Sequence, residues 1–194
     1  MKTAATHIEM KISRYKQNGF VLLEVLISMV ILALGLLGLA GLQLGVQNTE
    51  TDSYQRAQAI LLTEDMADML SSNRVNAASY VTGTATPVGT GDSQPANCTG
   101  LTGVQNDLCT WSNMLKGTSE TISSSGVNVG AMTDARGCIE YVSGNPDVYR
   151  VTVAWQGMTQ LSPPALLCGQ NLYGNDNARR AIASLVTIAN LTAP

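Results

Sequence analysis

Residues 20–42 read FVLLEVLISMVILALGLLGLAGL, apolar throughout except for Glu24 and Ser28, with Glu24 the only charge. As a helix these 23 residues would rise about 34 Å at 1.5 Å per residue, against a hydrocarbon core of about 30 Å. The run therefore predicts a membrane-spanning helix over 20–46. Beyond Gln47 the pattern changes without a turn signal. Ala59, Leu62, Met66, Met69 and Leu70 recur at steps of three and four, an apolar helical stripe. Glu50, Glu64, Asp65 and Asp68 fall on or near the opposite side. The helix is expected to continue through 47–76 and to end near Asn76.

The remainder, 77–194, alternates loop and element signals. Residues 82–103 are rich in Gly, Thr, Ser and Pro and read as a loop. Residues 104–116 place Leu108, Trp111 and Leu115 on one side of a short helix. Residues 118–130 are again loop-like. Three strands follow, at 138–142, 149–155 and 181–188, with Asn145-Pro146-Asp147 turning between the first two. Alternation sends Val151 and Val153 to the face that meets the helix stripe, and Thr152 and Ala154 to the other. The expected class is α+β, a small antiparallel sheet on the distal half of a long helix.

Charge divides the chain at Gly19. Lys2, Lys11, Arg14 and Lys16 precede it with only Glu9 against them, four of the 11 basic and one of the 14 acidic residues. The rest is acidic, and its single lysine is Lys116. That balance gives no footprint for nucleic acid, which needs clustered Lys and Arg. Arg179 and Arg180 are read as a solvated strand end. Basic residues before the apolar run, and none just after it, predict a cytoplasmic N-terminus with everything past about residue 46 outside. A secretory signal would end in a small-x-small site after its core, and none terminates this run cleanly.

Glu24 has two readings on physics alone. A carboxylate one turn inside a membrane segment by default marks a functional partner for that charge. It is also an acid that a helix N-terminus favours, snorkelling to the headgroups. Gly35, Gly38, Gly41 and Gly45 each cost a helix interior roughly 1 kcal/mol against alanine. Gly41 and Gly45 make a small-xxx-small step at which another helix could approach.

The stretch Gly19-Phe20-Val21-Leu22-Leu23-Glu24 resembles the class III leader of type IV pilins and type II secretion pseudopilins. The resemblance implies a type IV pilin-like fold and a leader, 1–19, removed by a prepilin peptidase between Gly19 and Phe20. It implies methylation of the new amino terminus at Phe20. It also implies that Glu24 compensates the charged amino terminus of a neighbouring subunit during assembly. In assembled pili the glycine-bearing stretch often loses helical structure, commonly at a proline, but here no proline precedes Pro87.

Cys98, Cys109, Cys138 and Cys168 all follow the apolar run. Four cysteines allow three pairings, and export to an oxidising compartment would make two disulfides natural. Cys98–Cys109, closing a short loop, with Cys138–Cys168 is the favoured pairing; free buried thiols are the alternative. A zinc site lacks its parts, since there is no CxxC and the one histidine, His7, lies before Gly19. Beyond Gly19 there is no histidine for acid–base or triad chemistry, so no enzyme, catalytic residue or cofactor is expected. Asn97-Cys98-Thr99 fits a glycosylation sequon by chance.

Asp65-Met66, Ser72-Asn73-Arg74, Asp107 with Trp111, the strand YRVTVAWQG and Arg179-Arg180 together resemble PilV-type minor pilins. The resemblance implies an inner-membrane subunit that helps prime or cap a type IV pilus, supporting twitching motility and adhesion. Implied partners are other minor and major pilins, the prepilin peptidase and the inner-membrane assembly platform. A type II secretion pseudopilin is the nearest rival, and a tip adhesin or DNA-uptake subunit is a second one.

Overall fold

A computed structural model describes residues 20–118, 132–144 and 146–189. The chain divides between Val46 and Gln47 into two compact units, each described by itself below. Helix α1, Phe20–Ser72, contributes to both. The helix is unbroken through Gly35, Gly38, Gly41 and Gly45.

In the second unit, four antiparallel strands lie in the order β1 (Val88–Gly89), β2 (Arg136–Ser143), β3 (Asp147–Gln156) and β4 (Arg179–Ile188). The register sets Ile139 opposite Val151 and Val153 opposite Ile182. On one face of the sheet, Ile139, Tyr149, Val151, Val153 and Trp155 join Ala59, Leu62, Met66 and Leu70 of α1 in a single buried cluster. That is the meeting of strand and stripe the alternation predicts. Glu64, Asp65 and Asp68 stay exposed. Helix α2, Gly103–Leu115, adds Trp111 and Leu115 to the same core.

Three features depart from the sequence reading. First, α1 stops at Ser72, and a 3-10 helix, Arg74–Tyr80, replaces its expected last turn. The bend carries Tyr80 into the core, where its hydroxyl donates to the Asp107 carboxylate and accepts from Asn73 Nδ2 at 3.1 Å. Burial first, then the bond to Asp107, push the Tyr80 phenol up to about 12.

Second, the supposed loop at 82–103 contains β1, which pairs Val88 with Gly137 and Gly89 with Arg136. Gly89 has φ +112°, and a Cβ there would fall 2.6 Å from the Ala135 carbonyl oxygen. Only glycine fits that close approach. A two-residue strand has no periodicity to read.

Third, the outer face of the sheet is covered. Thr152 and Ala154 are fully buried, because the segment between β3 and β4 folds back over them. Cys138, Ala154, Cys168 and Tyr173 form a second small core there.

Asp92 organises the loop after β1. Its carboxylate accepts from the Gly89 N–H at 2.8 Å, the Gln94 N–H at 3.1 Å and Ser112 Oγ at 2.8 Å, and pairs with Lys116. Burial works to raise its carboxyl, but these bonds, Lys116 foremost, outweigh burial and hold it below the ordinary value. The folded value thus lies below the unfolded one. The associated stability is present in full above the unfolded value, about 4, and is lost as pH falls through the folded value. Denaturant melts from pH 7 to pH 2 should therefore show a stability loss below about pH 4 that is shallower in Asp92→Asn. Parallel pH profiles for the two proteins would remove this role.

Candidate functional site

The first site lies at the start of α1. Helix α1 is described from Phe20 onward, and Gly19 lies outside the described residues. Glu24 follows just past the first turn, which itself contains no acid. Its backbone carbonyl accepts from Ser28 Oγ at 2.7 Å. Among the described residues its carboxylate has no hydrogen-bond or ion-pair partner.

Around it, the side chains from Val21 to Glu50 are all exposed. Leu22, Leu37 and Leu42 expose 72%, 70% and 69% of their surface, more than a soluble helix face tolerates. By length and composition the helix can cross a membrane, its most apolar 18 residues having a mean hydropathy of 2.6. An apolar surface of this kind needs a cover, of lipid or of other helices. Under either cover an isolated buried carboxylate would cost several kcal/mol unless it is paired, protonated or drawn to the headgroups.

The second unit shows how the remaining singled-out residues are used. Cys98 is bonded to Cys109 with a Cα–Cα distance of 5.8 Å, fastening the loop before α2 to that helix. Asn113 Nδ2 adds bonds of 3.2 Å to the carbonyls of Pro95 and Ala96. Cys138 is bonded to Cys168 with a Cα–Cα distance of 5.7 Å, fastening β2 to the segment that covers the outer face. These are the two pairings the spacing favours. The loop-like stretch expected at 118–130 falls, past residue 118, outside the described residues, which resume at 132.

Arg179 corrects the sequence reading. It is no solvated strand end, because only 1% of its surface is exposed. Its Nε and Nη2 make a two-pronged pair with Asp176, at 2.7 and 2.9 Å. Its remaining N–H groups donate to the carbonyls of Leu166, Cys168 and Pro164. The bond from Arg179 is the main reason the Asp176 carboxyl lies below its ordinary value. Arg180 does reach outward, donating to the Thr159 carbonyl at 2.6 Å. An arginine pair at a strand start looks solvated until the covering segment is known, and no local signal distinguishes the two residues.

Chemically, then, the second unit offers a stapled scaffold, and the first offers an uncovered apolar helix with one carboxylate. Among the described residues no three His, Cys, Asp or Glu side chains come together as a metal site.

Residues 14–40 match the family described as the prokaryotic N-terminal methylation motif. The match takes in Arg14, Lys16, Gly19, Phe20, Glu24 and most of the apolar run. It supports the likeness to type IV pilins and pseudopilins, and with the apolar helix it points to membrane anchoring. No curated protein and no solved structure matches the chain.

Proposed function

We propose that the chain is a minor pilin of a bacterial type IV pilus, made as a prepilin and held in the inner membrane until assembly. In this reading a prepilin peptidase cuts between Gly19 and Phe20 and the new amino terminus at Phe20 is methylated. The N-terminus faces the cytoplasm, and residues beyond about 46 lie in the periplasm, where cysteine pairs persist. Other minor and major pilins and the inner-membrane assembly platform are its partners. The subunit primes or caps the pilus, and so supports twitching motility and adhesion. The chain is structural, with no cofactor.

The single observation that carries this reading is the unpartnered Glu24 carboxylate just past the first turn of an uncovered apolar helix, inside the methylation motif. A neighbour's charged amino terminus is the partner that would neutralise Glu24 as both are buried. Burying either charge alone costs several kcal/mol, so the two go in together and set the register of one subunit against the next.

Glu24→Ala should leave export and cleavage intact but remove the protein from filaments sheared off the cell, measured by immunoblot of the sheared and membrane fractions. A variant that reaches the filament at the normal level would contradict the docking role.

A further inference from the structure

Outside the apolar helix and the stapled scaffold, the second unit holds a positively charged groove. Two adjoining cavities, of about 220 and 300 Å³, share Arg56 of α1, Trp155 of β3, Leu161 of the covering segment and Arg180 of β4. Neither Arg56 nor Arg180 has a carboxylate partner among the described residues; Arg180 donates only to Thr159 Oγ1 and to the carbonyls of Asn177, Arg179 and Thr159. The carboxylate lining the groove is Asp52, and it already accepts the Met158 N–H at 3.1 Å. Arg179 lines one end with its guanidinium engaged by Asp176. Trp155 is 4% exposed, and its indole N–H is buried without an acceptor among the described residues. A buried donor without an acceptor is costly. Arg56 is exposed, and Arg180 carries a charge that carbonyl and hydroxyl acceptors do not neutralise, so the depression favours an anion, and a planar carboxylate fits a guanidinium best.

The same chain carries the complement. Glu64, Asp65 and Asp68 are exposed on α1 and have no ion pair among the described residues. At about 100° per residue, Glu64, Asp68 and Asp65 lie roughly 80°, 120° and 180° around the helix from Arg56. Groove and acidic face are thus different surfaces of one helix. Two such surfaces make a head-to-tail contact that leaves a free groove at one end and a free acidic face at the other.

We propose that the Arg56–Arg180 groove receives the acidic face of α1, at Glu64, Asp65 and Asp68, from a second copy of this chain. Exposed Leu161 and Met158 at the rim supply the apolar surround that excludes water from the ion pairs. The contact needs nothing from the pilus reading, since both surfaces belong to the second unit.

The test is photo-crosslinking of the full chain in membranes, with benzoylphenylalanine in place of Leu161. Covalent dimers whose link maps by mass spectrometry to residues 61–70 of the second copy are expected. Arg56→Glu should cut the dimer yield by about tenfold, as should Asp65→Lys with Asp68→Lys, because each leaves like charges facing. All three residues are exposed, so unchanged melting midpoints will separate a lost contact from a lost fold. Co-expressing the groove variant with the acidic-face variant should restore the dimer, since the intact groove of one meets the intact acidic face of the other. Crosslinks to another protein, links mapping to 20–46, or dimers indifferent to Arg56→Glu would overturn the proposal. Failure of the mixed sample to recover would overturn it too.

Discussion

Trp111→Ala will destabilise the second unit by roughly 3–5 kcal/mol, the usual cost of emptying a buried tryptophan site. Trp111 is fully buried and joins three elements. It stands on α2, its indole N–H donates to the Leu62 carbonyl of α1 at 2.8 Å, and its ring lies against Gly137 of β2. A Cβ on Gly137 would fall 2.2–2.8 Å from three ring carbons, so the indole occupies space that only glycine leaves. In a unit of this size the loss should lower the melting midpoint by about 10 °C or more. Trp111→Phe keeps most of the ring but forfeits the bond to Leu62, about 1 kcal/mol. Near-UV circular dichroism melts of the three proteins will rank them. An alanine variant melting within 2 °C of the parent would mean that the core is assembled some other way.

Arg179→Ala is expected to cost on the order of 3 kcal/mol, although it removes little apolar surface. Its guanidinium is the hub on which the covering segment hangs, with Asp176 on one side and the carbonyls of Pro164, Leu166 and Cys168 on the other. Without it, three carbonyls lose a charged donor and Asp176 keeps an unpaired charge. Water can reach Asp176, whose side chain is 21% exposed, and that sets the figure at the lower end for a broken ion pair. The segment stays tethered through Cys138–Cys168, so the damage should be local. Hydrogen exchange should quicken at the Gly157 N–H and Leu161 N–H, which donate to Ala178 and Asn177, while α2 stays protected. Arg179→Lys should not rescue, because an ammonium cannot make the two-pronged pair. Uniform quickening across the whole unit, or none at all, would show that Arg179 does not hold the segment.

These two residues also mark what the sequence could and could not disclose. Trp111 was legible as a core residue, because its spacing from Leu115 on one helix is a local pattern. The strands at β2, β3 and β4 were legible for the same reason, and so was the inward direction of Val151 and Val153. Arg179 was not, since its burial depends on a segment that returns from residues 157–178 to cover the sheet. The burial of Thr152 and Ala154 was hidden by the same return. Strand β1 escaped because two residues cannot show a period, and the end of α1 because Tyr80 is drawn inward by Asp107, some 27 residues away. Long-range closure is what a one-dimensional pattern leaves out. Gly19, Phe20 and Glu24 are different again. Their motif is legible at once, but the roles proposed for them are a cleavage and an assembly, which the fold of one chain does not report.

That cleavage is the most direct test of the whole account. Intact-mass and N-terminal peptide analysis of the protein from its native membranes should find a chain that begins at Phe20, with a methyl group on its amino nitrogen. Residues 1–19 should be absent. A chain still beginning at Met1, or one cut after the apolar run near residue 46, would contradict it.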